Sequence, residues 1–172
     1  MKKGCEANLK RMIILVSVFL MLDLVSKRWM DHVLERNDRV EVIDGFGLQL
    51  YYNAGATMGL LEGYTSLLLF LQASIVLLLI YGYKLATPKR FAMQLAFSLL
   101  ISGGIGNLVD RIQYGYVIDF LSVKWSSGIF NVADMEIRYG FILVVLLYFM
   151  KKFTVPGLDE NSNHKLQKSE RG

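Results

Sequence analysis

The chain has 172 residues, of which 53% are hydrophobic, and it carries a formal net charge of +4. Its mean hydropathy of +0.38 and its long apolar blocks are typical of a membrane protein and exclude an ordinary soluble domain. A single cysteine, Cys5, and two histidines, His32 and His164, leave no partner set for a disulfide, a zinc site or a Ser/His/Asp triad. We therefore expect no metal ion and no cofactor.

Four apolar blocks lie at residues 12–30, 64–83, 91–108 and 132–150. Each has about the 20 residues that a helix needs to cross a hydrocarbon core roughly 30 Å thick. The first block contains Asp23 and Lys27 where a signal peptide would have a small-residue cleavage site, so we interpret it as a retained span. The sequence therefore predicts a membrane α-helical fold with four transmembrane helices.

The segment between the first two spans, residues 36–62, has a different pattern. Apolar and polar side chains alternate on either side of a turn signal at Asp44-Gly45, which predicts a small β-rich segment on the membrane surface. Residues 153–172 are polar and lack periodicity, so we expect a disordered cytoplasmic tail. Residues 1–152 would form one four-helix membrane domain.

The distribution of charge predicts the topology. With four crossings, both termini and the connection between the second and third spans lie on one side, which carries 12 of the 19 Lys and Arg residues. The positive-inside rule therefore places both termini in the cytoplasm. The other side carries 11 of the 15 acidic residues, so the outer face is rich in carboxylates.

Charged residues near the outer ends of the spans are candidates for function, because an unpaired charge in a membrane is costly. These residues are Asp23, Lys27, Asp110, Arg111, Asp119 and Asp134. Asp23 and Lys27 lie four residues apart and could instead form an ion pair that only stabilises a helix end. For Asp110 and Arg111 we favour a charge network that ties a helix end to its neighbours.

Asp119 and Asp134 differ from these because apolar residues surround Asp119 and Asp134 lies at the mouth of the fourth span. Two carboxylates that share such a site hold one proton between them. The ionised member can take a proton from an attacking water while the protonated member polarises a peptide carbonyl. Such a pair is what peptide hydrolysis without a metal ion or a covalent nucleophile needs, but spacing alone does not single out these two among the 11 outer acidic residues.

Five motifs in this order resemble those of the lipoprotein signal peptidase (type II signal peptidase) family. They are Asp23 with Ser26-Lys27, Asn53-Ala54-Gly55-Ala56, Gly103-Gly104-Ile105-Gly106-Asn107-Leu108-Val109-Asp110-Arg111, Val117-Ile118-Asp119-Phe120 and Phe130-Asn131-Val132-Ala133-Asp134. With the four spans they cover the chain up to about residue 152.

The resemblance implies a globomycin-sensitive aspartyl endopeptidase of the bacterial cytoplasmic membrane. Such an enzyme removes the signal peptide of a prolipoprotein on the N-terminal side of a diacylglyceryl-modified cysteine, near the extracytoplasmic face. Its partners would be these precursors and membrane lipids, with no nucleic acid, and we expect a monomer.

The resemblance also implies roles for individual residues. Asp119 and Asp134 would be catalytic, and Asp23 with Lys27 would support them from the first span. The residues that shape the pocket and hold the substrate backbone would be Asn53, Gly55, Asn107, Asp110, Arg111, Asn131 and Ala133.

Some residues depart from the pattern of the family. Leu24 stands where glutamine is common, Met58 stands where an aromatic residue is frequent, and residues 135–138 replace small or apolar residues. Glu136 and Arg138 could form an ion pair only if the fourth helix begins after them. These departures concern substrate preference more than chemistry.

Two alternatives to this family are another kind of intramembrane protease and a membrane protein that is not an enzyme. The Gly-x-Gly-Asp signature of presenilin-like and prepilin peptidases is missing, and so is the Gly-x-Ser-Gly site of rhomboid proteases. A catalytically inactive binding protein or a small transporter on the same fold would have a similar sequence. The charges near one face of the predicted bundle make a poor transmembrane path, so we favour the peptidase.

Overall fold

The computed structural model describes residues 2–35, 39–55, 63–86, 88–124 and 128–153. Within these ranges the chain forms four long helices and one four-stranded antiparallel sheet. The elements are α1 (Lys2–Val33), β1 (Arg39–Ile43), β2 (Phe46–Asn53), α2 (Thr65–Ala86), α3 (Phe91–Tyr114), β3 (Val117–Val123), β4 (Ile129–Phe130) and α4 (Val132–Phe153). The predicted disordered tail, beyond residue 153, lies outside the described residues.

The helices coincide with the four predicted apolar blocks but extend beyond them. Among the described residues, α2 and α3 are long and apolar enough to cross a membrane, with mean hydropathies of 2.0 and 1.5 over their most apolar windows. Half of the residues in this apolar part of α3 are buried, compared with 11% in that of α2, so α3 is the more enclosed helix. It continues six residues past the predicted end at residue 108, because its charged last turns find partners in the fold.

The sheet has the strand order β1-β2-β3-β4 and lies at the end of the helices that carries the charged residues. The predicted turn at Asp44-Gly45 joins β1 and β2, and Gly45 has the positive φ, 85°, that this turn requires. All five residues of β1 are exposed, and Val40 and Val42 are among them.

The strand β3 was not predicted from the sequence, which placed β structure only between the first two spans. Five of its seven residues are buried and the other two are half-buried, so it lacks the alternation that marks a half-exposed strand. It pairs with β2, with Tyr51 opposite Asp119 and Asn53 opposite Val117. This pairing brings the segment that carries Asp119 next to Asn53.

Glycines set the distance between the helices that surround the site. A Cβ atom at Gly103 would overlap the backbone oxygen of Ala133 in α4, and one at Gly106 would overlap the carboxylate of Asp23 in α1. The absence of a side chain at these two positions therefore allows α3 to lie close to α4 and α1.

Replacing Gly106 by Ala should destabilise the fold, because the added methyl group overlaps the buried Asp23 carboxylate. We expect the free energy of unfolding in detergent to fall by about 1–3 kcal/mol. Gly82→Ala is the matched control, since its Cβ would lie 3.8 Å from Phe97, an ordinary contact. That change should be neutral or stabilise α2 by up to about 1 kcal/mol. Equal melting temperatures for the two variants would contradict the packing described here.

Candidate active site

Asn131 connects the two aspartates that the sequence singled out. It precedes the first residue of α4, and its side-chain oxygen accepts a hydrogen bond of 2.9 Å from the backbone N–H of Asp134. The Asp134 carboxylate in turn accepts the Asn131 backbone N–H at 3.3 Å. This reciprocal arrangement is a capping box, with Asn and Asp in the places that Ser or Thr and Glu or Gln usually take.

The Asn131 side chain also reaches the second aspartate. Its amide nitrogen donates a hydrogen bond to Oδ1 of Asp119, while Oδ2 of Asp119 accepts from the Asn53 amide at 2.9 Å. The N-terminal cap of α4 thus joins the first turn of that helix to β3. Both carboxylates are held within one hydrogen-bonded unit.

Asp119 is almost fully enclosed, whereas Asp134 is half-buried. Burial, and after it the charge of Asp134, raise the pKa of Asp119 from its usual value of 3.8 to about 7. The hydrogen bonds from Asn53 and Asn131 act in the opposite direction. Near neutral pH, Asp119 therefore carries a proton for a large part of the time.

Asn107 in α3 approaches Asp134 from the other side. Its amide nitrogen donates to Oδ1 of Asp134 at 2.8 Å, and its oxygen accepts from Nζ of Lys27 at 2.9 Å and from the Asn131 amide at 3.2 Å. An ammonium group can only donate, so Lys27 fixes which end of the Asn107 amide faces Asp134.

Lys27 lies at the centre of a buried ionic group that we call the Lys27 cluster, formed by Asp23, Lys27, Arg28 and Asp110. Nζ of Lys27 is 2.8 Å from Asp23 and 3.2 Å from Asp110, and all three side chains are fully buried. Arg28 adds a contact of 3.1 Å to Asp110 from a partly exposed position. The predicted pair of Asp23 and Lys27 is confirmed, but it is part of a larger network.

The two carboxylates of the cluster also hold backbone groups of the site. Asp23 accepts the N–H of Ala133 at 2.8 Å, and Asp110 accepts the N–H of Ile118 at 3.3 Å. These residues immediately precede Asp134 and Asp119. Asp23, Asp110 and Ala133 are therefore fully enclosed behind the aspartates, where they position the backbone and do not line an open surface.

Arg111 follows Asp110 in the sequence but contacts α2, whereas Asp110 contacts α1. Its Nη2 donates to the backbone oxygen of Gly55 at 2.7 Å, and its Nη1 donates to the side chain of Gln72 at 2.9 Å. Gln72 was not predicted as a site residue. A single amide in an otherwise apolar block is a weak signal, and its partner lies 39 residues away in the chain.

Glu136 and Arg138 do not form the pair considered from the sequence, because α4 begins at Val132 and includes both residues. Glu136 is buried against α3, where it accepts a hydrogen bond of 2.7 Å from the Ser102 hydroxyl. The Arg138 guanidinium lies 5.6 Å from the centre of the Phe130 ring.

A cavity of about 530 Å³ opens between α2, α3 and α4 beside this site. Most of its wall is apolar, and its polar lining consists of Gln72, Asn107, Arg111 and Asp134. Of the two aspartates, Asp134 therefore faces the cavity, while Asp119 lies behind it in the sheet. Within the described ranges, no group of three or more Cys, His, Asp and Glu side chains has the geometry to hold a metal ion.

Comparisons with known proteins agree on one family. The family model described as signal peptidase (SPase) II matches residues 15–150. The lipoprotein signal peptidase of Wigglesworthia glossinidia brevipalpis is 34% identical over 85% of this chain and 97% of its own length. That of Shewanella sediminis is 31% identical over 93% of this chain and 96% of its own.

Solved structures give the same result for the fold. A bacterial membrane enzyme determined by the in meso method at 2.3 Å resolution superposes with a TM-score of 0.80 and 27% identity, over 88% of this chain and 94% of that one. A second, at 1.9 Å resolution, gives a TM-score of 0.74 and 28% identity over 81% and 92% of the two chains.

Lys27→Met should destabilise the protein strongly, because it leaves the carboxylates of Asp23 and Asp110 buried without their central cation. We expect a loss of about 3–5 kcal/mol in the free energy of unfolding. Lys124→Met is the matched control, since Lys124 and its partner Asp44 are 64% and 93% exposed at a separation of 3.4 Å. That change should cost less than about 1 kcal/mol. Similar falls in melting temperature for the two variants would show that the buried position of the Lys27 cluster does not contribute to stability.

Proposed function

The chain belongs to the signal peptidase II family of aspartic peptidases, and we propose that it removes the signal peptide of bacterial prolipoproteins. It would cut on the N-terminal side of a diacylglyceryl-modified cysteine. The observation that carries the proposal is the pair of aspartates joined by Asn131 at the polar end of an apolar cavity. The alternatives of an inactive binding protein or a transporter are not favoured, because the matching relatives are named as peptidases.

In the proposed reaction, Asp134 acts as the base and Asp119 as the acid. Asp134 faces the cavity and takes a proton from water as the water oxygen bonds to the scissile carbonyl carbon. Asp119, whose pKa burial raises to about 7, gives its proton to the carbonyl oxygen. When the C–N bond breaks, Asp134 returns its proton to the leaving amine and Asp119 recovers one from the hydroxyl of the new carboxyl group.

The surrounding polar groups would hold the substrate backbone beside the aspartates. Asn107 and Arg111 line the cavity together with Asp134, so they are placed to bind peptide carbonyl and N–H groups. Hydrogen bonds from Asn53 and Asn131 would hold Asp119 in place, and the carbonyl of Gly55 would hold Arg111. The apolar wall would take the hydrophobic part of the signal peptide or its lipid.

We further propose that all four helices cross the bacterial cytoplasmic membrane, with both termini in the cytoplasm and the sheet outside. The bias of basic residues supports this orientation. Large apolar side chains on the outer surfaces of α1 and α4 support contact with lipid, among them Ile14, Met21, Phe141 and Tyr148, each more than half exposed. Residues up to 152 would form one domain, active as a monomer.

Replacing either aspartate by asparagine should reduce cleavage to background, because an amide can neither accept the proton of water nor donate as an acid. The assay uses purified protein in detergent with a diacylglyceryl-modified prolipoprotein and, separately, its unmodified precursor. Since the pair acts as a unit, the double variant Asp119→Asn with Asp134→Asn should be little worse than either single variant.

Asp44→Asn is the control for that experiment, because this carboxylate is 93% exposed and contacts only Lys124 among the ion pairs described. It should cleave at the wild-type rate. Retained turnover in Asp119→Asn or Asp134→Asn, with folding confirmed by thermal unfolding, would remove that aspartate from the mechanism. Equal cleavage of both precursors would reject the proposed substrate class.

The proposed orientation can be measured by labelling single cysteines in a Cys5→Ser background. An impermeant maleimide added to spheroplasts should label Asp44→Cys, in the turn of the sheet, because we place this turn outside the membrane. Lys89→Cys, exposed in the connection between α2 and α3, should react only after permeabilisation. The reverse pattern would put the aspartates on the cytoplasmic side.

A further inference from the structure

Gln72 is a polar side chain in α2, the more apolar of the two candidate spanning helices. It lies in the wall of the cavity, on the same side as Asp134 and Arg111. An amide inside an apolar environment is unfavourable unless both of its ends are hydrogen-bonded. The partners of Gln72 therefore show what its placement achieves.

Both ends of the Gln72 amide have a partner in α3. Its nitrogen donates to the backbone oxygen of Gly104 at 2.9 Å, and its oxygen accepts from Nη1 of Arg111 at 2.9 Å. A guanidinium can only donate and a carbonyl can only accept, so the orientation of the amide is determined. Gln72 and the carbonyl of Gly55 together hold the Arg111 guanidinium from two sides.

We propose that Gln72 is a positioning residue for the cleavage reaction, which acts by holding Arg111 at the polar end of the cavity. This inference rests on the proposed function of the site. Gln72 makes no hydrogen bond to either aspartate in the described structure, so its effect on the reaction passes through Arg111.

Arg111 needs such a partner because the arginine side chain is flexible. A long arginine side chain loses conformational entropy when its guanidinium is fixed. If partners within the protein already hold the guanidinium, less of that entropy is lost when substrate binds. Without Gln72, one of the two described hydrogen bonds of the guanidinium disappears. Arg111 could then swing towards Asp134, which lines the same cavity, and neutralise the carboxylate that serves as the base.

The chain offers a matched control in Gln94 of α3. Its amide nitrogen also donates to a backbone oxygen, that of Pro88 at 2.8 Å, and its oxygen also accepts from an arginine, Arg11, at 3.4 Å. Gln94 is 13 residues before Asn107 in α3, which places it about 20 Å from the site along the helix. Its contacts are similar in chemistry but remote from the reaction.

The experiment compares Gln72→Met with Gln94→Met, because methionine keeps the approximate length and volume of glutamine. Both variants should show similar small falls in melting temperature. Only Gln72→Met should lower kcat/KM on the lipid-modified precursor, by about tenfold, which is within the range expected when catalytic groups shift by less than 1 Å. Gln72→Ala and Gln94→Ala give the same comparison if a methionine does not pack.

A double-variant cycle tests whether Gln72 acts through Arg111. In the background of Arg111→Met, the change Gln72→Met should lower kcat/KM by no more than about twofold, whereas independent residues would lose the full tenfold again. A purely structural role would leave the kinetics of Gln72→Met and Gln94→Met alike.

The outcomes separate this inference from the proposed function. Unaltered kinetics in Gln72→Met, or losses that multiply with those of Arg111→Met, would overturn the positioning role while a cleaving wild-type enzyme keeps the function intact. A wild-type protein that does not cleave the lipid-modified precursor would overturn the proposed function itself.

Discussion

Lys27 is a fully buried cation, and the architecture of the site depends on how its charge is compensated. Its ammonium lies 2.8 Å from Asp23, 3.2 Å from Asp110 and 2.9 Å from the oxygen of Asn107. Removing an ammonium from water costs several kcal/mol, and close acceptors of this kind offset that cost. Lys27 therefore holds the three acceptors in place. Asp23 in turn binds the backbone of Ala133, Asp110 binds that of Ile118, and Asn107 binds the side chain of Asp134.

The consequence is that one charge positions two separate elements. The carboxylates of the Lys27 cluster bind the backbone N–H groups of Ala133 and Ile118, which precede Asp134 in α4 and Asp119 in β3. A helix and a strand that meet only at the end of the bundle are thereby fixed relative to one another. Because the backbone is held in this way, the aspartate side chains remain free to bind amides and, in the proposed reaction, protons.

The sequence identified Asp23, Lys27 and Asp110 of this network through motifs, but it missed Arg28 and could not give the geometry. Asp119 and Asp134 were assigned through the resemblance of their motifs, because the apolar residues beside them do not by themselves single out this pair among the outer acidic residues. The strand β3 was missed because burial on both faces removes its alternation. Gln72 was missed because its function depends on a partner in another helix, and no local pattern encodes a contact of that kind.

The unequal burial of the two aspartates determines how water and substrate can approach. Asp119 is 1% exposed, and amides occupy both of its oxygens, so neither reactant can arrive through the sheet. Asp134 faces a cavity whose wall is mostly apolar and whose polar groups are gathered at one end. A hydrophobic segment in this cavity would bring a peptide bond to Asp134 first and exclude bulk water from the rest of the wall. Substrate bound in the cavity would then meet the base in surroundings whose low dielectric strengthens each polar contact.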